Sequence, residues 1–282
     1  MKCIGFTCGD CIGFPLEFFG KEYRKSLAVG YEPFKCGSHF TDDTVMTIAR
    51  MKWLLSGDLS SENLVKYVVE YGNKYPLAGY GANFKDWLQG SNGYKPYNSW
   101  GNGSAMASSP IGWFFNTEED VLKYAEVSAA ITHDHPEGIK GAQAIAICVY
   151  LARTGHTKEE IKEYVENKFG YDLNRTLDEI RPNYVFHVSC QKSVPESIIA
   201  FLEANSTKEA IQNAISLAGD TDTQADMAGA IAEAFYNDAD ELFEQTIKQV
   251  DGEYPDEFVD IIKQFNEKLN EGNTDASNEI SW

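Results

Sequence analysis

Residues 40–57 read FTDDTVMTIARMKWLLSG, a strong helix pattern that begins with two adjacent carboxylates. Apolar side chains recur at helical spacing through this stretch, and Gly57 is typical of a helix end. Thr41, Asp42 and Asp43 stand where the helix should start. Such residues often cap helices, because their oxygens accept the unpaired N–H groups of the first turn. A cation site is the second interpretation, and it requires another acidic cluster elsewhere in the chain.

Helical patterns of the same kind cover most of the remaining chain, whereas alternating strand patterns are scarce. Residues 75–106 form a long stretch rich in Gly, Asn and Tyr, and long loops in compact domains usually carry function. The only alternating segment is the short YVFHVS at 184–189. The other predicted helices lie within residues 60–75, 117–132, 136–155, 157–170, 193–204, 207–219, 223–237 and 255–272.

These patterns predict an all-α protein with one compact domain. No internal repeat, proline-rich linker or charged block divides the sequence. The predicted domain therefore spans residues 1–272, and residues 273–282 form a polar C-terminal tail. The helix over 136–155 is apolar nearly all round after Lys140, which is typical of a central, buried helix.

The charge of the chain restricts its partners. The 282 residues include 43 acidic and 24 basic side chains, a net charge of −19. This charge disfavours non-specific binding to nucleic acid or to anionic lipid. No stretch has the length and apolarity of a membrane span, and Asp10 comes too early for a secretory leader. We expect a cytoplasmic protein whose six cysteines are reduced and mostly buried.

A second acidic cluster matches the first in chemistry. Residues 219–223 read GDTDT and precede another strong helix pattern. The spacing of Asp220, Asp222 and Thr223 lets their oxygens converge on one point. Such an all-oxygen set suits Mg²⁺, Mn²⁺ or Ca²⁺ rather than zinc. Because four carboxylates near one point repel one another, two helix starts that meet at a pair of cations would explain both clusters.

Five motifs of the chain resemble those of the ADP-ribosylglycohydrolase family and occur in the family's order. GYGA at 79–82 also resembles the glycine loop of the branch that acts on serine-linked and polymeric ADP-ribose. The resemblance implies a compact, orthogonal helical bundle with two divalent cations at one end, Mg²⁺ first and Mn²⁺ second. The motifs are GDCIGFPLEF (9–18), FTDDTVMTIA (40–49), SWGNGSAM (99–106), THDHPEGIKGAQA (132–144) and AGDTDTQADMAGAIAEAFY (218–236).

The resemblance also implies roles for the acidic residues. Glu17, in PLEF, matches a mobile family glutamate beside the metals and is the candidate for moving a proton. Asp42, Asp43 and Asp222 are the other catalytic candidates, and Asp10 is expected to support the metal loop from behind. The implied metal ligands are Thr41, Asp42, Asp43, Asp220, Asp222 and Thr223.

Substrate binding is implied for two loops and one histidine. Tyr80 or Trp100 is expected to stack on adenine. The implied reaction removes ADP-ribose from an arginine or serine side chain of a modified protein, with free ADP-ribose as product and a monomeric enzyme. The implied substrate-binding residues are Gly79, Tyr80, Gly81, Ser99, Trp100, Gly101, Asn102, Gly103 and His133.

Two other functions stay open at this stage. Many relatives carry arginine where this chain has Ala107, which favours a looser ligand loop or a non-catalytic ADP-ribose-binding relative. The second alternative is a two-metal phosphoesterase, although no lysine or arginine clamp for a phosphoryl group stands near either acidic cluster in the sequence.

Two further patterns have the spacing of metal ligands, and we expect both to have structural roles instead. CGDC at 8–11 and CGSH at 36–39 have zinc-like spacing, but the gap between the pairs is longer than usual, so buried thiols are expected. His133 and His135 also have a metal-like spacing, yet Pro136 favours a helix start there.

Overall fold

The fold is built from α-helices, and the all-α prediction is confirmed. The computed structural model of the chain describes residues 1–17, 22–23 and 37–278, with side chains as far as Glu271. Within these residues no β-sheet forms, and the alternating segment 184–189 contributes only an isolated bridge between Gly101 and Ser189. None of the helices in the same ranges is long and apolar enough to cross a bilayer. The helices are α1 (Gly5–Glu17), α2 (Asp42–Ser56), α3 (Ser61–Lys74), α4 (Ala82–Leu88), α5 (Gly103–Met106), α6 (Ser109–Phe114), α7 (Glu118–Ala130), α8 (Pro136–Arg153), α9 (Lys158–Phe169), α10 (Leu177–Ile180), α11 (Cys190–Leu202), α12 (Thr207–Ser216), α13 (Thr221–Tyr236), α14 (Asp240–Gln249) and α15 (Asp256–Asn278).

Helices α1 and α13 pack backbone against backbone. Three glycines at four-residue spacing, one of them Gly9, form the face of α1 that meets α13. A Cβ atom added at Gly9 would lie 2.1 Å from the carbonyl oxygen of Ala225. At Gly13 the added atom would lie 2.4 Å from the carbonyl oxygen of Thr221. Because no side chain separates the helices, the start of α13 lies beside the C-terminal half of α1.

We expect Gly9→Ala to destabilise the protein by roughly 3 kcal/mol, because the new methyl group meets backbone that cannot rotate away. The midpoint and slope of urea unfolding measure the change. Gly81→Ala is the matched control for stability, since its added Cβ meets nothing within 4 Å and its φ is −61°. Equal midpoints for Gly9→Ala and wild type would contradict the close packing of α1 on α13.

Helix α2 begins and ends as its sequence predicts. Thr41 is the N-cap, and the backbone N–H of Asp43 donates to its Oγ1 over 3.3 Å. Gly57 ends the helix in the left-handed conformation, at a φ of 76°. The acidic pair lies in the first turn, where the helix dipole favours negative charge. The capping interpretation is therefore correct for Thr41.

Residues 75–106 are more ordered than their composition suggests. Helix α4 lies in the middle of this stretch and α5 ends it. Trp87 of α4 is buried and stacks on Phe84 at 5.6 Å between ring centroids. This packing anchors the helix that directly follows the GYG segment at 79–81.

The described cysteines fit the expectation of reduced thiols. Cys3, Cys8, Cys11, Cys148 and Cys190 are buried, and none of these five forms a disulfide. The first three lie at or inside α1, within the hydrophobic core. The cysteine of the CGSH sequence lies outside the described residues.

Candidate active site

One cavity of about 460 Å³ collects most of the residues identified in the sequence. Its wall includes the end of α1, the starts of α2 and α13, and loop residues at 79–81 and 97–103. Thr41, Tyr80 and Trp100 lie outside the lining. The predicted site residues that line the cavity are Glu17, Asp42, Asp43, Gly79, Gly81, Ser99, Gly101, Asn102, Gly103, His133, Asp220, Asp222 and Thr223.

The carboxylates around this cavity form two groups that share one residue. Ligand oxygens of Asp10, Asp43 and Asp222 all lie within 4.8 Å of one another. The same holds for Glu17, Asp220 and Asp222. The two acidic clusters of the sequence therefore meet in space, with Asp222 common to both groups. The structure adds Asp10, to which the sequence analysis gave a supporting role only.

Asp10 accepts hydrogen bonds from residues at the start of α2. Its Oδ2 accepts the backbone N–H of Thr41 at 2.8 Å and that of Thr44 at 3.2 Å. Its Oδ1 accepts the Thr41 hydroxyl at 2.8 Å, and that hydroxyl also lies 3.1 Å from Asp43 Oδ2. These bonds fix the backbone that presents Asp43 to the cavity.

Burial and mutual repulsion raise the pKa values of the clustered carboxyl groups. The pKa of Asp42 rises to about 8, because burial disfavours its charge and Asp222 and Asp10 repel it. Burial and the charge of Asp222 raise the pKa of Asp10 to about 7. The pKa values of Asp43 and Asp220 rise well above their usual range for the same two reasons. Cations would remove this repulsion and favour the ionised forms.

The donor set fits hard divalent cations. It consists of carboxylate and hydroxyl oxygens, which Mg²⁺ and Mn²⁺ prefer. Oδ1 of Asp43 is buried and has no hydrogen-bond partner within the described part of the chain, so it is available to a cation. The Thr223 hydroxyl lies 3.4 Å from Asp43 Oδ2 and links the starts of α2 and α13.

Asn102 connects the glycine-rich loop to the second acidic cluster. Its Nδ2 donates to Asp220 Oδ2 at 2.7 Å. Its backbone N–H donates to the carbonyl oxygen of Val188 at 2.8 Å. Val188 and Phe186 are half exposed and line the same cavity. Through Asn102 the loop therefore orients Asp220 and is itself anchored to the backbone of Val188.

His133 lies against the same loop. A Cβ added at Gly101 or Gly103 would lie 3.4 Å from its Nε2, so these glycines leave room for the ring. Its Nδ1 is 2.7 Å from Thr132 Oγ1. Burial, helped by the charge of Arg50, lowers the pKa of His133 to about 3. The ring is neutral at pH 7 and can make one hydrogen bond through Nε2.

Comparison with known proteins places this site in a family. A family model described as ADP-ribosylglycohydrolase matches residues 3–275. The chain belongs to the ADP-ribosylglycohydrolase family. It is 30% identical to ADP-ribosylhydrolase ARH3 of Mus musculus over 304 residues, with 82% of each chain covered.

Two further relatives support the family and its fold. ADP-ribosylarginine hydrolase Tri1 of Pseudomonas putida is 26% identical over 266 residues, which cover 83% of this chain and 69% of that protein. A solved structure described as an ADP-ribosylglycohydrolase-related protein complex matches with a TM-score of 0.69 at 18% identity. That match covers 94% of this chain and 93% of the other, and it shows that the two share the ADP-ribosylglycohydrolase fold.

The aromatic residues of the cavity differ from the two that were expected to stack on adenine. Tyr80 is buried against Phe84, with 5.4 Å between ring centroids. Trp100 is 52% exposed and lies beside His135. Tyr97, which the sequence analysis did not select, lines the cavity instead. Adenine stacking by Tyr80 or Trp100 stays a prediction, and Tyr97 is a third candidate.

The fold also brings a cationic side chain into the cavity wall. No lysine or arginine flanks either acidic cluster directly in sequence, but Arg50 lines the cavity together with Met46 and Asp43. Positions 43, 46 and 50 share one face of a helix, so the spacing was the available signal. The sequence analysis found no lysine or arginine clamp beside either acidic cluster in the chain, and the fold adds Arg50 to the cavity wall.

Proposed function

We propose that the protein is a metal-dependent hydrolase that cleaves the glycosidic bond between ADP-ribose and a modified protein side chain. The observation that carries this proposal is the meeting of two oxygen-donor groups at Asp222, on the wall of a cavity of about 460 Å³. Relatives described as ADP-ribosylhydrolase and ADP-ribosylarginine hydrolase support the same activity. The substrate would be an ADP-ribosylated protein and the product free ADP-ribose.

We propose two divalent cations as cofactors, with Mg²⁺ as the first choice and Mn²⁺ as the second. When bound, they would lower the pKa of a coordinated oxygen and fix the vicinal hydroxyls of the distal ribose. Thr41 is included among the proposed ligands because its hydroxyl contacts Asp43. Glu17 is placed beside the ligands because it lies with Asp220 and Asp222. The proposed ligands are Thr41, Asp42, Asp43, Asp220, Asp222 and Thr223, with Glu17 beside them.

The side chains around the cavity would share the remaining chemistry. Glu17 is the proposed proton shuttle, because it lines the cavity within reach of Asp220 and Asp222. Asp42, Asp43 and Asp222 would stabilise the positive charge that develops on the ribose as the glycosidic bond breaks. Neutral His133 would position the ligand through one hydrogen bond.

The loops would hold the rest of ADP-ribose. Ser99, Gly101, Asn102 and Gly103 line the cavity, and a phosphate can approach the backbone closely at glycine. Gly79 and Gly81 border the same space near Asp42, whose Oδ1 would lie 3.6 Å from a Cβ at Gly79. We propose both loops as substrate-binding segments.

The linkage that is cleaved is the finer part of the proposal. The GYGA sequence at 79–82 and Glu17 favour an O-linked, serine-type substrate. The arginine-directed relative from Pseudomonas putida keeps an N-linked substrate as the alternative.

The test measures release of free ADP-ribose from two peptides of identical sequence, one modified on serine and the other on arginine. We expect release from one of them in Mg²⁺, a loss of about 100-fold or more in excess EDTA, and recovery when Mg²⁺ is restored. Binding of ADP-ribose without release from either peptide would contradict the hydrolase and support a non-catalytic relative. Turnover of a phosphodiester alone would support the phosphoesterase.

A further inference from the structure

Arg50 is a buried cation without an acidic partner in the described residues. Its side chain is 3% exposed in a chain whose net charge is −19. Nε donates to Ser128 Oγ at 3.2 Å, and Nη1 donates to the carbonyl oxygen of Met46 at 3.1 Å. No carboxylate of the described chain lies within ion-pair distance of the guanidinium, although the other buried charged groups of the cavity are all acids.

Such a group is costly unless something neutralises it. Moving an ion out of water costs several kcal/mol, and buried charges in proteins are therefore paired or bind ligands. Burial lowers the pKa of Arg50 to about 10, so the guanidinium stays charged at pH 7. Its two neutral hydrogen bonds use only part of a fork of five N–H donors. An anion that enters the cavity would complete this environment.

The position of Arg50 decides which part of a ligand it can meet. Asp43, Met46 and Arg50 line the cavity from one face of α2, and Arg50 lies about 10 Å along the axis from Asp43. Helical side chains lean towards the N-terminus, so the guanidinium is directed back towards the acidic end. Its charge also reaches His133, which borders the glycine-rich loop.

We propose that Arg50 supplies the positive charge that receives the diphosphate of ADP-ribose. This inference rests on the proposed function, because the acidic end of the cavity fixes the distal ribose and therefore the direction of the ligand. The diphosphate follows that ribose after one methylene group, towards the glycine-rich loop and Arg50. Guanidinium groups pair with phosphate oxygens through parallel hydrogen bonds, which gives both affinity and orientation.

The experiment compares Arg50→Lys and Arg50→Gln with wild type by calorimetric titration of ADP-ribose, ADP and adenosine in Mg²⁺. Lysine keeps the charge, whereas glutamine keeps hydrogen-bond donors without it. We expect Arg50→Gln to weaken ADP-ribose and ADP binding by about 10- to 100-fold and Arg50→Lys to weaken it less. Adenosine, which lacks phosphate, should bind all three proteins within about threefold.

Arg153→Gln is the matched control. Arg153 is half-buried and also donates to backbone carbonyls, including that of Gly112 at 2.7 Å, but it does not line the cavity. The Arg153→Gln variant should bind ADP-ribose as tightly as wild type does. Equal losses of ADP-ribose and adenosine in Arg50→Gln, or no loss of either, would overturn the inference and leave Arg50 a structural residue. Wild-type protein that fails to bind ADP-ribose would overturn the proposed function instead.

Discussion

Asp222→Asn is expected to lower the rate of ADP-ribose release by about 1,000-fold or more. Asp222 belongs to both oxygen-donor groups, and the two groups have no other member in common. An amide of the same shape still accepts the hydrogen bond from the Thr223 backbone N–H. It removes the negative charge that Asp222 would share between the two proposed cations. The loss should fall on kcat, with the ADP-ribosyl peptide of the preferred linkage as substrate.

Asp226→Asn is the control for this prediction. Asp226 lies one turn further along α13, is fully buried, and has two carboxylate oxygens without a hydrogen-bond partner in the described residues. It does not line the cavity, so we expect release within about threefold of wild type. Equal losses of activity in both variants would contradict the assignment of Asp222 as the shared ligand.

Without divalent cations, the protein should lose stability as the pH rises from about 4 to 8. Carboxyl groups whose folded pKa is raised bind more protons in the native state than in the unfolded state. Their contribution is fully present below the unfolded pKa of about 4 and is lost as the pH passes the folded value. For Asp10 and Asp42 the folded pKa values are about 7 and 8. Each pKa unit of difference corresponds to about 1.4 kcal/mol, so the free energy of unfolding should fall by several kcal/mol over this range.

Added Mg²⁺ should reverse this slope between pH 6 and 8, because cation binding requires the ionised carboxylates. Thermal melting with and without Mg²⁺ across the pH range tests both statements. Glu233→Gln provides the control: burial raises the pKa of Glu233 to about 7, but it accepts from the Ile4 and Gly5 N–H groups and does not line the cavity. The variant should lose part of the metal-free slope and keep the full response to Mg²⁺. A melting temperature at pH 8 that is the same with and without Mg²⁺ would contradict a cation site at these carboxylates.

The sequence was sufficient to predict nine of the helices and the meeting of the two acidic clusters. The helices that it did not predict are α1, α4, α5, α6, α10 and α14. Capping residues and 3.6-residue periodicity are local signals, so α2 runs from Asp42 to Ser56 almost as predicted. The convergence of the clusters was inferred from their shared chemistry, because helix capping alone could account for either cluster by itself. Residues 75–106 were expected to be functional, and the glycine-containing segments at 79–81 and 101–103 do border the cavity.

The remaining site residues depend on packing that no local pattern specifies. Arg50 enters the cavity because the tilt and rotation of α2 place its face there, and no local pattern specifies that rotation. The membership of Asp10 in a donor group depends on the backbone contact of α1 with α13. The aromatic assignments illustrate the same limit: Tyr80 turns inwards and Trp100 outwards, whereas Tyr97 borders the cavity.

The contact between Asp43 and Thr223 joins residues 180 positions apart in the chain, and this separation has a consequence for biosynthesis. At ribosomal elongation rates, the GDTDT segment follows the TDD segment by roughly 10–40 s. Until then, the nascent chain carries one half of a cation site and the glycine face of α1 has no helix to cover it. The proposed cation site is therefore completed late, when α13 is released and docks on α1.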